Sequence, residues 1–214
     1  MAAIAGVMAC VMELIIEFYA ASKNPGYSPI SQSISYLGNP ESPTHHLVKI
    51  GSVIFTILFV LFAFGFFKAF NHSFDKSKMA TLLLVLYGFG QGMGAGLFSL
   101  DASKSKVSWM NIGHDIFSGI GDVALVLFPM VMLFFFSKTK RYFTMLISVL
   151  GIAFMLLFLS AKFEWTPQTI PYKGLWQRLF QVVYFVYFMF IAYQMNIKNT
   201  SQMHSLSNTS NVKI

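Results

Sequence analysis

Cysteine is nearly missing from this sequence: Cys10 is the single thiol in 214 residues. One thiol excludes a disulfide within the chain and a CxxC metal knuckle, and with them a disulfide-stapled secreted scaffold. Charge is just as scarce. Asp, Glu, Lys and Arg make up 11% of the chain, where a soluble domain carries about a quarter. Such a chain cannot cover a folded surface with polar groups, and its apolar content excludes a disordered chain. No HExxH and no GxSxG is present, so the best-marked signals of a zinc peptidase and of an α/β-type serine hydrolase are missing. What the sequence has instead is hydrocarbon: 56% hydrophobic residues and a mean hydropathy of +0.62. Its solvent is lipid. The net charge of +7 marks no nucleic-acid surface, because the basic residues form short clusters between apolar runs.

Those clusters bracket the runs. Residues 50–67, 79–100, 142–161 and 179–197 contain no Asp, Glu, Lys or Arg, and each approximates the ~20 residues a helix needs to cross ~30 Å of hydrocarbon. A fifth run follows Asp115 and is broken by Asp122; a sixth opens the chain and holds Glu13 and Glu17. Phe and Leu dominate the runs and strand-like alternation is missing, which favours helices over a barrel. The expected fold is all-α, a bundle of six transmembrane helices at about 1–22, 46–68, 79–100, 113–136, 142–161 and 175–197. A polar, disordered cytoplasmic tail is expected at 198–214. The first run has no Lys or Arg ahead of it and two carboxylates inside it, a poor fit to a signal peptide.

Six spans put loops one, three and five on one end, and both termini with loops two and four on the other. Loops two and four carry Lys68, Lys76, Lys78, Lys138, Lys140 and Arg141, while Glu41, Asp101, Asp115 and Glu164 fall at the opposite end. The positive-inside rule then expects cytoplasmic termini in a multi-pass protein of the cell membrane.

An ionisable side chain within a span costs ~3 kcal/mol or more, so each calls for a partner or a role. Glu13 and Glu17 share one helical face, and their repulsion calls for a proton or a cation between them. The plainer reading sends Glu17 to the interface and bonds Glu13 to a neighbouring helix. His114, Ser118 and Asp122 form one stripe at the start of span four. The cation nearest Asp122 in depth is Arg178, at the start of span six. Span three carries Gly88, Gly92 and Gly96 on one face, a spacing that lets backbones approach closely.

The first loop reads Tyr27-Ser28-Pro29-Ile30-Ser31-Gln32-Ser33-Ile34-Ser35-Tyr36-Leu37-Gly38, more patterned than loops usually are. Pro29 fixes φ and the serines can bond nearby backbone, so the segment is expected to be structured and to close, or to lid, the bundle. It resembles the signature after the first helix in the domain-of-unknown-function 998 family of six-helix membrane proteins. Gly96-Leu97-Phe98 with Asp101 and Gly113-His114 is similar to that family's junction of spans three and four. Gly174-Leu175-Trp176-Gln177-Arg178-Leu179 is similar to the opening of its last helix. Tyr36 stands where the family often has Asp. The resemblance implies the fold and draws attention to these residues, and it implies no activity.

The expected function is binding of a lipid or small apolar ligand in a polar-lined pocket at the extracytoplasmic end. Tyr27, Ser28, Ser31, Ser35, Asp101, His114, Asp122 and Arg178 would line it, with Arg178 on an anionic head group. The alternative is a membrane-embedded hydrolase using His114, nearby carboxylates and a loop Ser, with or without a metal at His45, His46 and His114. No metal or other cofactor is expected; a haem would need axial histidines inside the bundle. The expected partners are membrane lipid and either a second copy or another membrane protein, with no nucleic acid.

Overall fold

The structure, a computed structural model, describes residues 1–71, 74–101 and 108–211. Among them there is no strand, and six helical rods follow the six runs. They are α1 (Ala2–Lys23), α2 (His45–Phe70), α3 (Phe74–Tyr87, continued to Leu97), α4 (Trp109–Met132), α5 (Lys138–Lys162) and α6 (Lys173–Asn211). Short 3₁₀ turns at Ile34–Gly38 and Pro167–Tyr172 sit in loops one and five. Five rods are long and apolar enough to cross a membrane, α6 together with the turn before it as Pro167–Lys198. The backbone of α6 continues through much of the segment expected as a tail; residues 212–214 of that segment, and 102–107 of loop three, lie outside the described residues.

The rods pack in chain order, α1 on α2 through to α5 on α6, and α6 returns to α1 to close the ring. Their outer faces are apolar and exposed: Ile54, Ile57, Leu61 and Phe64 on α2, and Val149 and Leu156 on α5. Exposed apolar surface on every rod is the signature of a lipid-facing bundle. Inside, α2 contributes Phe55, Phe59, Phe62, Phe66 and Phe70, one per turn. They meet Tyr87, Phe128 and Phe188, with edge-to-face contacts such as Phe59–Phe188 at 4.8 Å and Phe59–Tyr87 at 4.9 Å. Edge-to-face pairs satisfy the ring quadrupoles while filling the space. This aromatic block occupies the half of the bundle away from loops one, three and five.

Span three differs from the plain helix expected at 79–100. After Tyr87 the chain widens into a π segment, Gly88–Gly94, before Ala95–Leu97 ends the rod. Five glycines in alternation explain the widening, since no Cβ resists either the wider turn or the close neighbours it brings. Gly88, Gly92 and Gly96 face Phe59, Thr56 and Ser52 of α2, while Gly90 and Gly94 face Phe117 and Gly121 of α4. The Thr56 hydroxyl donates to the Gly88 carbonyl at 3.1 Å, taking up one backbone acceptor. Wide turns of this kind are rare and concentrate at functional sites. Span four also begins earlier than its apolar run, because the Ser108 hydroxyl caps Asn111 N–H at 3.3 Å.

A methyl group added at Gly92 would stand 2.8 Å from the Ser52 carbonyl oxygen. Gly92→Ala is expected to cost about 1–3 kcal/mol through overpacking, read as a lower melting temperature in detergent. Gly119, with nothing within 4 Å of an added Cβ, is the control: Gly119→Ala is expected to leave the melting temperature unchanged or raise it.

Candidate functional site

Loop one folds down onto the start of α6 because that helix offers it a place and a fork of donors. Gly174 lies directly under the Pro29 and Gln32 carbonyls, where any side chain would collide. Leu175 N–H donates to Ile30 O at 2.9 Å, and Ile34 N–H donates to Gln177 Oε1 at 2.8 Å. Arg178 completes the junction. Its Nη1 donates to Pro29 O (2.6 Å), Gln32 O (3.3 Å) and Gly174 O (3.2 Å), and its Nη2 to the Tyr27 hydroxyl at 2.8 Å. Its Nε lies 2.5 Å from Glu17 Oε1, and Glu17 is 3% exposed. A planar fork of five donors suits this cluster of carbonyl, hydroxyl and carboxylate where an ammonium would not. Burial pushes the Tyr27 phenol above its ordinary value, against the pull of the guanidinium.

Two expectations change here. Arg178 does not meet Asp122; its cationic fork serves Glu17 and loop one, and it is not presented to a head group. Glu17 does not reach the interface, because Arg178 draws it inward. Tyr27 and Ser28 therefore sit in the junction: Ser28 N–H donates to Gln32 Oε1 at 2.8 Å and its Oγ accepts from Ser31 N–H at 3.4 Å.

Ser35 turns the other way, toward α4. His114, 7% exposed, lies with Nδ1 2.9 Å from the Phe98 carbonyl and Nε2 3.0 Å from Ser35 Oγ. A carbonyl can only accept, so Nδ1 carries the proton, and Nε2 of a neutral ring would accept from the serine. Beside it, Asp101 N–H donates to Asn111 Oδ1 (2.9 Å) and Asn111 Nδ2 donates to Asp101 O (3.1 Å), a reciprocal clasp that fixes the end of span three to α4. Asp115 forms a half-exposed ion pair with Lys162 at 2.8 Å.

More than two turns below His114, Asp122 receives Gln91 Nε2 at 2.6 Å, and the same amide donates to Ser118 O at 3.1 Å. Gln91 is the one non-glycine polar residue of the π segment. These residues surround two adjoining spaces. The mouth, about 640 Å³, opens among loops one, three and five, with Ser31, Asp101, Asn111, Ser118, Lys162 and Lys173 on its walls. The inner chamber, about 110 Å³, reaches past Ser52 and Gly92 to Glu13, Tyr87, Gln181 and Phe180. Ser35, Gln91, Leu100, His114, Asp122 and Gln177 line both.

Of the residues expected to line a pocket, Ser31, Ser35, Asp101, His114 and Asp122 stand around the mouth or the chamber, and Ser118 joins them. Tyr27, Ser28 and Arg178 do not; they hold the lining loop in place. Gln91, Gln177, Gln181 and Tyr87 were not anticipated. The three glutamines are uncharged, so a search for ionisable groups passes over them, although an amide in an apolar run is itself a signal. His45 Nδ1 donates to the Gly38 carbonyl (2.7 Å), and its ring meets that of His46 edge-on. Among the described residues no three His, Cys, Asp or Glu side chains converge as a metal site.

Removing the guanidinium leaves a buried carboxylate without its cation, a loss of about 3–5 kcal/mol. Arg178→Ala is expected to lower the melting temperature strongly and to speed proteolysis within residues 24–33. Arg178→Lys is expected to recover little, because an ammonium cannot serve the carbonyls and Glu17 at once. Adding Glu17→Gln to Arg178→Ala is expected to restore part of the loss.

A family model described as Protein of unknown function (DUF998) matches residues 4–193. No curated protein and no solved structure matches the chain. The match spans all six rods and the loop-one junction, and on it the chain belongs to the DUF998 family of proteins of unknown function.

Proposed function

We propose that this membrane protein binds a lipid or other small amphiphile, whose polar end enters the chamber through the loop-lined mouth. One observation carries the reading: a polar space runs from the loops into the apolar bundle, walled by Ser35, Gln91, His114, Asp122 and Gln177. Polar walls at that depth cost free energy unless something bonds to them. The aromatic block closes the far half of the bundle, which favours a binding site with one entrance over a path across the membrane. The Lys and Arg clusters of loops two and four support placing the mouth on the extracytoplasmic side of the cell membrane.

Blocking the entrance tests this. Ser118 lines the mouth from α4 and is accessible there. The purified wild-type chain is expected to carry a small molecule at near one per chain, found by mass spectrometry of the extracted protein. Ser118→Trp is expected to lose it at an unchanged elution volume on size exclusion. Equal content in both, or none in the wild type, would overturn the proposal.

A hydrolase is the second reading, and the Ser35–His114 pair favours it. A serine hydroxyl bonded to Nε2, with the other nitrogen held by a carbonyl, is the relation of nucleophile to general base. Asp115 is paired to Lys162, so the carboxylate beside His114 in sequence is not its orienting partner. In this reading a fluorophosphonate ester labels the wild type at Ser35 and leaves Ser35→Ala unlabelled. A folded wild type that takes no label would remove the hydrolase.

A further inference from the structure

The acceptors along the inner chamber outnumber their donors. Glu13 stands at the middle of α1, ten residues or ~15 Å of helix rise before Lys23, and lines the chamber. Among the described residues its carboxyl takes part in no hydrogen bond and no ion pair; the cation of this region, Arg178, is bonded to Glu17. Asp122, which lines the same chamber, receives one amide donor on one oxygen. Gln181 lines the same space, and its Oε1 is buried without a hydrogen-bond partner. Tyr87, 4% exposed, also lines it, and among the described residues its hydroxyl has no hydrogen bond. Its ring is fixed by Phe55, Phe59 and Phe188, so the hydroxyl is held in place. Lys49 is the basic residue of the chamber walls, at the α2 end near the loops, and makes no ion pair with either carboxyl.

Two carboxyls, an amide oxygen and a phenol thus face a space with room for several waters or one small head group, where a water needs ~10–15 Å³. A partner for such a set brings positive charge and several hydrogens on one centre. An anion or a carbonyl brings neither. An aromatic ring at the wall adds attraction for a cation. Three or more side chains able to ligate a metal do not gather among the described residues, whereas the three hydrogens of a primary ammonium match the three kinds of acceptor present.

We propose that the chamber selects a protonated primary amine, held by Glu13 and Asp122 with Gln181 and Tyr87 completing its hydrogen bonds. This rests on the amphiphile reading above and names the head group. The apolar half of the ligand lies toward the mouth, where Phe158 and Ile170 line the wall. The amine can belong to a chain-bearing amphiphile or to a small soluble molecule, and the recognition chemistry is the same.

The test uses the full chain in lipid nanodiscs and follows its melting temperature and intrinsic fluorescence as ligand is added. Dodecylamine, dodecanol and dodecanoate share a chain and differ in head group; butylamine carries the ammonium without the chain. Dodecylamine is expected to bind at least tenfold more tightly than dodecanol or dodecanoate. Glu13→Gln and Asp122→Asn, close in shape to the natural residues, are each expected to reduce that preference at least tenfold. Butylamine binding as tightly as dodecylamine would assign the site to a soluble amine, and much weaker butylamine binding to an amphiphile. Equal binding of the three head groups, or a preference that survives both substitutions, would overturn the amine and leave the amphiphile reading standing. Failure of every chain-bearing ligand to bind would overturn both.

Discussion

The bundle is closed by one guanidinium. Arg178 holds Glu17 of α1, the start of α6 and the backbone of loop one together, so the first and last spans are joined at the same point where the loop is anchored. Each partner justifies the others. Glu17 could not be buried without a cation, the loop carbonyls could not face the bundle without donors, and the fork could not enter the apolar region without both. Gly174 makes the approach possible by leaving the helix surface bare beneath Pro29 and Gln32. Two stretches separated by most of the sequence, the serine-rich loop and the Gly-x-x-x-Arg opening of the last helix, are two halves of one junction.

With the loop fixed on α6, its next residues are free to face α4. Ile34 is held by Gln177, and the 3₁₀ turn that follows delivers Ser35 to His114. The mouth therefore owes its shape to the junction although Arg178 does not line it. Polar atoms near Arg178 are consumed in holding structure; the Glu13 carboxyl, the Tyr87 hydroxyl and Gln181 Oε1 are not. That contrast separates architecture from site within a bundle whose polar residues otherwise look alike.

The fold was legible because lipid imposes a simple rule: long uncharged runs, bracketed by charge, must be helices. Helix ends were less legible. The start of α4 depends on a serine cap at Ser108, and the end of span three on a π segment that no periodicity of hydrophobic residues announces. The polar stripe His114, Ser118 and Asp122 was readable from helical spacing and does face one space. The pairing of charges was not, because depth along the membrane normal is one coordinate and a ring of six helices needs a second. Asp122 stands on the chamber wall and bonds Gln91, whereas Arg178 lies outside that wall and pairs with Glu17, the carboxylate on the neighbouring rod. Gln91 escaped because it is uncharged and because its direction is set by the wide turn.

That wide turn has a consequence for everything loopward of it. A π segment accommodates a surplus residue, and one residue in an α-helix corresponds to ~100° of rotation. The stretch from Ala95 to Asp101 is thereby re-phased about the rod's axis relative to Tyr87. Asp101 reaches the mouth and Ser99 the chamber from this re-phased stretch, and the Phe98 carbonyl meets the imidazole of His114. A single-residue deletion between Gly88 and Gly94 would restore regular winding and turn that whole wall away, so the spacing of this glycine run is as constrained as its composition.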